Sequence, residues 1–166
     1  KNGVELLMYS EYKVDSSSVS STIVRNQMQE GRVEVAANML GRNFFISGRV
    51  IKGQGRGRQI GFPTANLGYD KDIILPAKGV YVTNTILNGM LYESITNVGV
   101  NPTFNTGYDI HVETHLLDFS RDIYGDEIRV IFVKKIRDEK KFESLEELKT
   151  QIQADIHSVK RQVKNN

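Results

Sequence analysis

The sequence predicts a mainly β fold: an antiparallel barrel, closed or nearly so, with a C-terminal helix and a small helical N-terminal appendage. Three observations carry this. Between Phe44 and Ile136, apolar and β-branched runs follow one another with no helical pattern between them, and strands without crossover helices imply an antiparallel sheet. About five or six such runs in a small domain favour closure. Asn88-Gly89 stands between two of the runs, which is the strongest short hairpin signal. Finally, Leu145, Leu148, Ile152, Ile156, Val159 and Val163 recur at spacings of three and four, the stripe of an amphipathic helix.

Composition bounds what such a fold can do. The 166 residues suit one domain with an appendage, since domains usually run to roughly 100–150 residues. Hydrophobic residues at 39% and charged residues at 25% supply a core and exclude a disordered chain. The 22 Lys+Arg and 20 Asp+Glu are interspersed and leave a net +2, so no broad cationic surface for nucleic acid is expected. Cysteine is absent, which removes a disulfide framework, a thiolate zinc site and a cysteine nucleophile together. This is compatible with a reducing, cytoplasmic compartment. No apolar run approaches the roughly 20 residues of a membrane span, so a soluble chain without a membrane partner is expected. Lys1-Asn2-Gly3 opens with neither Met nor a secretory core, and the chain reads as a piece of something longer.

Residues 1–41 differ from the rest. A strand is predicted over 4–9, followed by the hydroxyl-rich loop Asp15-Ser16-Ser17-Ser18-Val19-Ser20-Ser21-Thr22. Ser20 or Ser21 is the expected cap of a short helix over about 22–30, with Ile23, Val24, Gln27 and Met28 on one face and Gly31 at its stop. A second short helix over about 32–40 carries Val33, Ala36, Ala37 and Leu40, and Gly41 suits its C-terminal cap. Together they are too small to bury a core alone. Strands are then predicted at Phe44–Lys52, Gly79–Leu87, Met90–Val98, Ile110–Asp118 and Glu127–Ile136. Ser144 and Glu147 form a capping box before the last helix, whose stripe must lie on the barrel wall or mouth.

Three constellations carry possible chemistry. Gly53-Gln54-Gly55-Arg56-Gly57-Arg58 follows the first barrel strand. Its glycines let backbone N–H groups approach a ligand and its arginines suit phosphate. It is not a Walker A loop, because no Gly-Lys-Ser/Thr follows and no helix is expected to open there. A surface loop with two solvated arginines has the same composition. Next, Phe62-Pro63-Thr64-Ala65-Asn66 fixes an extended segment, and residues two apart project to one side. The Thr64 hydroxyl and the Asn66 amide oxygen are then two hard ligands for Mg²⁺, although both residues are also common in turns. Third, strand alternation puts His111, Glu113 and His115 on one face. Glu113 as a general base, a two-histidine one-carboxylate metal site, and a plain polar strand face are all compatible with that spacing.

In combination these segments resemble the riboflavin kinase family, most closely the kinase module of the bacterial bifunctional riboflavin kinase/FMN adenylyltransferase (FAD synthetase). The resemblance rests on the glycine loop, on Gly61-Phe62-Pro63-Thr64-Ala65-Asn66, and on Asn97-Val98-Gly99-Val100-Asn101-Pro102-Thr103-Phe104. It continues through Val112-Glu113-Thr114-His115-Leu116-Leu117-Asp118-Phe119, Ile123-Tyr124-Gly125 and Arg137-Asp138-Glu139-Lys140-Lys141-Phe142, covering about residues 42–160.

Val19-Ser20-Ser21-Thr22-Ile23-Val24-Arg25, Gly31 and Leu40-Gly41-Arg42 resemble the end of the adenylyltransferase domain, with Ile23 where the family usually has a basic residue. That domain's His-x-Gly-His motif is absent. The expected division is therefore 1–41, a remnant of the adenylyltransferase domain, and 42–166, the kinase domain. The rest of that N-terminal domain is expected in the full-length chain.

The resemblance implies a six-stranded antiparallel Greek-key barrel that makes FMN and ADP from riboflavin and ATP, with Mg²⁺ as cofactor. The nucleotide would lie at the glycine loop, and riboflavin on the opposite side of the reacting centre. By position, Gly53, Gly55, Gly57 and Arg58 would line the phosphates, while Thr64 and Asn66 would hold Mg²⁺ and position the γ-phosphate. Glu113 would take the proton of the ribityl 5′-hydroxyl, and Arg137, Phe142 and Leu145 would contact the flavin. On ligand type, Mg²⁺ is favoured over zinc. The competing function is a non-catalytic flavin- or oligonucleotide-binding β-barrel.

Overall fold

Ser20, extended at φ −137° and ψ 159°, accepts a hydrogen bond from the Ile23 N–H at 3.3 Å and so starts the first helix. The computed structural model describes residues 7, 10–14, 17–103 and 107–163. The strand expected over 4–9 lies outside these residues apart from Leu7. In chain order come β1 (Lys13–Val14), β2 (Ser17–Ser18), α1 (Ser21–Gln29), α2 (Val33–Leu40) and β3 (Phe45–Ile51). A single helical turn, α3 (Arg56–Gln59), follows, then β4 (Ala65–Gly68), β5 (Gly79–Leu87), β6 (Met90–Thr103), β7 (Gly107–Leu116), β8 (Glu127–Arg137) and α4 (Leu145–Val163). Gly31, at φ 76°, and Gly41, at φ 67°, end α1 and α2 in the left-handed conformation that glycine adopts without strain.

Strands β3 to β8 form a closed barrel in the order β3-β4-β7-β6-β5-β8, every pair antiparallel and β8 returning to β3. Asn88 and Gly89 take φ values of 51° and 77°, the left-handed pair that a two-residue type I′ hairpin needs between β5 and β6. The connections β4–β5 and β7–β8 each pass over two intervening strands, giving the Greek-key path.

Strand alternation sorts the side chains. Tyr81, Thr83, Thr85 and Leu87 point inward from β5, and they meet Ser94, Thr96 and Val98 of β6, Val112, Thr114 and Leu116 of β7, and Ile128, Val130 and Phe132 of β8. Five of these inward residues are serine or threonine, and none is exposed. They satisfy one another: Thr83 with Ser94 and Thr96, and Thr85 with Ser94, at 2.8 Å each, and Thr96 donating to Thr114 at 2.9 Å. Val80 and Val82 face the opposite way yet are only 5% exposed, because with Ile95 and Leu117 they pack beneath Val159 of α4. The C-terminal helix thus lies on the barrel wall. Its start is capped by Ser144 Oγ, which accepts from the Glu147 N–H at 3.2 Å, while the Glu147 carboxylate accepts from the Glu143 N–H at 3.2 Å.

The two N-terminal helices share the barrel's core. Met28, Val33 and Ala36 are buried in one cluster with Tyr81 and Phe132, and the Ala77 N–H donates to the Met28 carbonyl at 2.9 Å. Helices too short to bury their own apolar faces bury them against the barrel instead. A further difference from expectation is α3. Gly55 at φ 69° lets the chain turn sharply into one helical turn where none was expected, and the Phe62 N–H closes it on the Gly57 carbonyl at 2.8 Å.

Candidate active site

On β4, Ala65 and Leu67 are buried inside, so their neighbours Thr64 and Asn66 face outward. On β7 the inward set is Val112, Thr114 and Leu116, which turns His111, Glu113 and His115 outward together. The register then aligns them. Asn66 is the direct cross-strand partner of Glu113, and Glu113 is the partner of Asn97 on β6. Three strands therefore present Asn66, Glu113 and Asn97 as one polar row on the outer wall. Thr64 Oγ1 donates to Glu113 Oε2 at 3.5 Å from the other side.

The glycine loop reaches this row directly. A Cβ at Gly53 would stand 2.0 Å from the Asn66 amide nitrogen, so only glycine allows the loop backbone to lie on that carboxamide. Gly53, Gly55, Arg58, Pro63, Thr64 and Asn66 line one side of a cleft of about 330 Å³, and Phe119 to Tyr124 line the other. Arg58 reaches across it, 3.7 Å from Asp122 and stacked over the Tyr124 ring at 5.9 Å. Gly57 sits within α3, where its carbonyl serves the Phe62 N–H, and does not line the cleft. Glu113 lies behind Thr64, its side chain 26% exposed.

The histidines have separate employments. His115 Nδ1–H donates to the Pro63 carbonyl at 2.8 Å, and its ring meets Phe62 edge-on at 5.6 Å, which fixes the turn carrying Thr64. His111 Nε2 is 3.4 Å from Asn97 Nδ2 and 4.0 Å from Glu113 Oε1. Among the described residues no three His, Cys, Asp or Glu side chains converge as a metal site. Thr64 and Asn66 bring two hard oxygen donors to the edge of the cleft, a set that suits Mg²⁺ in company with phosphate oxygens and water.

Arg137, Phe142 and Leu145 form a different group. Arg137 grips Asp155 of α4 through Nε at 3.1 Å and Nη2 at 2.9 Å, and its guanidinium stacks on Phe142 at 5.7 Å. Leu145 opens α4 and is 52% exposed. No direct contact joins these three to Glu113. The intervening Glu139 comes close instead: a Cβ at Gly99 would meet its Oε1 at 2.3 Å, beside Asn97 and His111.

Asn97 stands in the sequence as one member of the Asn-Val-Gly run, and nothing in that run alone marks it as facing a carboxylate. The cross-strand register does. Phe119, Asp122 and Tyr124 join the cleft through the β7–β8 connection, whose course the sequence left open.

A second, larger cavity of about 920 Å³ opens from Asn66 and His111 toward Ile73, Ile74, Leu75 and Pro76. Asn66 thus borders both spaces.

Among known proteins, the bifunctional riboflavin kinase/FMN adenylyltransferase of Bacillus subtilis (strain 168) is 42% identical over 139 residues, covering 82% of this chain and 44% of that protein. The protein of the same description from Escherichia coli (strain K12) is 43% identical over 138 residues, again 82% and 44%. The chain thus spans less than half the length of these relatives. A riboflavin kinase structure from Trypanosoma brucei shares the fold at TM-score 0.53 and 30% identity, over 72% of this chain and 76% of that one. A crystal structure described as a macrolide-efflux protein from Streptococcus pneumoniae matches at TM-score 0.85 and 35% identity, over 90% of this chain and 49% of that one. No helix among the described residues is long and apolar enough to cross a membrane. The family model for riboflavin kinase (flavokinase) matches residues 40–163. With the barrel, the glycine-lined cleft and the Asn66–Glu113 row in place, the chain belongs to the riboflavin kinase family.

Proposed function

We propose that this chain transfers the γ-phosphoryl group of ATP to the 5′-hydroxyl of riboflavin, giving FMN and ADP. One observation carries the reading. Glu113 sits in register with Asn66, its carboxylate 3.5 Å from the Oγ1 of Thr64, and Thr64 and Asn66 line a cleft together with Gly53, Gly55 and Arg58. Phosphoryl transfer is mostly positioning and charge stabilisation, and these residues supply both.

The nucleotide phosphates occupy the cleft, where glycine backbone and Arg58 face them. Arg58 exchanges Asp122 for phosphate when the nucleotide arrives. Thr64 and Asn66 would hold Mg²⁺, which would supply charge neutralisation to the nucleotide phosphates. The riboflavin 5′-oxygen forms the new bond to the γ-phosphorus as the bond from that phosphorus to the β,γ-bridging oxygen breaks. Glu113 accepts the hydroxyl proton, and ADP leaves with the bond's electron pair. The flavin ring contacts Arg137, Phe142 and Leu145.

Residues 1–41 are the end of an adenylyltransferase domain and 42–166 the kinase domain. The bifunctional description of relatives more than twice as long supports this division. A cytoplasmic location, where ATP is abundant, goes with this reading. A non-catalytic flavin or oligonucleotide binder is disfavoured, because a carboxylate beside a phosphate cleft hinders a simple binder of anions. The test is chromatography of riboflavin incubated with the chain, ATP and Mg²⁺. A time-dependent FMN peak that requires all three is expected, and its absence from correctly folded protein contradicts the proposal.

A further inference from the structure

Glu113 has a neighbour on each side. Oε2 takes Thr64 Oγ1, and Oε1 faces His111 Nε2 at 4.0 Å. The same Nε2 lies 3.4 Å from the amide nitrogen of Asn97, the cross-strand partner of Glu113. The space for this arrangement comes from Gly99, the cross-strand partner of His111 itself. A Cβ there would fall 2.3 Å from Glu139 Oε1, 2.9 Å from His111 Cε1 and 3.0 Å from Asn97 Nδ2. Contacts that tight leave no room for a side chain, so the bare backbone at Gly99 lets the imidazole lean toward Asn97.

With the Asn97 amide donating, Nε2 is the acceptor and the ring proton is on Nδ1. That nitrogen is buried and has no partner. A buried polar atom left unsatisfied is destabilising, and a leucine of similar volume avoids that penalty. His111 is only 19% exposed, so packing alone is served as well by an apolar side chain. What leucine lacks is an acceptor at the Nε2 position.

We propose that His111 is a positioning residue of the phosphotransfer site: its Nε2 accepts from the Asn97 amide and so holds in place the cross-strand neighbour beside which the Glu113 carboxylate lies. This rests on the kinase reading above. Its physical content is that misplacing a catalytic group by an ångström lowers the rate by about 10²-fold while leaving ligand contacts elsewhere intact.

The test compares His111→Leu with His111→Gln in steady-state riboflavin phosphorylation. Glutamine extends a polar group to nearly the reach of Nε2 and leucine does not. Loss of the acceptor should lower kcat of the leucine variant about 10- to 100-fold, with KM for Mg-ATP within about twofold of the original. The glutamine variant should recover to within about fivefold of the original kcat, and in an Asn97→Ala background His111→Leu should add less than about threefold. Full turnover by a folded leucine variant overturns the proposal, and so does a glutamine variant as slow as leucine.

Should the leucine variant not fold, the ¹⁵N resonances of His111 in the unaltered chain decide. The Nδ1–H tautomer, lost on Asn97→Ala, is expected, and the Nε2–H tautomer overturns the proposal. An unaltered chain that makes no FMN sinks the kinase reading and this inference together. An active one with an unaffected leucine variant sinks this inference alone.

Discussion

Asn66 is the residue on which both cavities converge, and its amide lies under the backbone of Gly53. Asn66→Leu keeps the size of the side chain and the outward β4 position while removing the oxygen. Affinity for Mg-ADP should fall about 10- to 100-fold, the value of a hydrogen bond or ligand to a charged group, with the melting temperature little changed. Calorimetric titration of a folded variant reads this directly, and unchanged affinity removes Asn66 from the nucleotide site. Tyr81 makes a residue-scale prediction of another kind. Burial, and then the Asp138 charge, push its phenol well above the ordinary value. The folded protein holds that proton where the unfolded chain releases it, so this contribution is complete below about pH 10 and is lost as pH rises further. In Tyr81→Phe, urea-unfolding free energies between pH 9 and pH 12 should decline less steeply than in the original. Equal slopes contradict the buried, neutral phenol.

Among the elements, α4 is tied to the barrel by Arg137 of β8, whose partner Asp155 is 3% exposed. Breaking a buried pair costs about 3–5 kcal/mol, and with the Arg137 side chain 21% exposed the expectation for Arg137→Met is about 2–3 kcal/mol in urea unfolding. Adding Asp155→Leu should recover most of it, because the stranded charge is the cause. A loss that the second substitution leaves untouched shows that the pair does not hold the helix. That pair left no trace in the sequence, whereas purely local signals were legible there. The Ser20 cap, the Ser144–Glu147 box and the Asn88-Gly89 turn depend on neighbours a few residues away, so the residue types announce them. Strand β4 was read only as an extended segment, because its four residues pair with β3 and β7, and distant pairing leaves little local trace. α3 escaped for the opposite reason: three glycines in six residues argue against a helix, yet one turn is closed by Phe62 from outside it. The polar row shows the same division. The shared face of His111, Glu113 and His115 follows from alternation, whereas the alignment of Asn97 with Glu113 exists only in the β6–β7 register.

At the scale of the whole molecule, the N-terminal helices and the barrel form one core. Met28 is 2% exposed and packs in the cluster that contains Tyr81 and Phe132. Met28→Ala should therefore destabilise the entire chain by about 2–5 kcal/mol in a single unfolding transition, as large-to-small core substitutions do. A separate early transition for residues 21–40, seen by denaturation with two probes, contradicts a shared core. The closed sheet also explains why the proposed site is on a wall and not in the lumen: the interior is filled by Tyr81, Phe132, Leu87 and the hydroxyl set, so the proposed chemistry falls to outward residues such as Thr64, Asn66 and Glu113. The central claim is that Glu113 performs proton transfer at that wall. The most direct measurement is single-turnover phosphoryl transfer from ATP to riboflavin by the original chain and by Glu113→Gln, with riboflavin and Mg-ADP affinities taken in parallel. A fall of about 10²–10⁴-fold in rate with affinities within about threefold is the predicted result, and a glutamine variant that phosphorylates riboflavin at the original rate contradicts it.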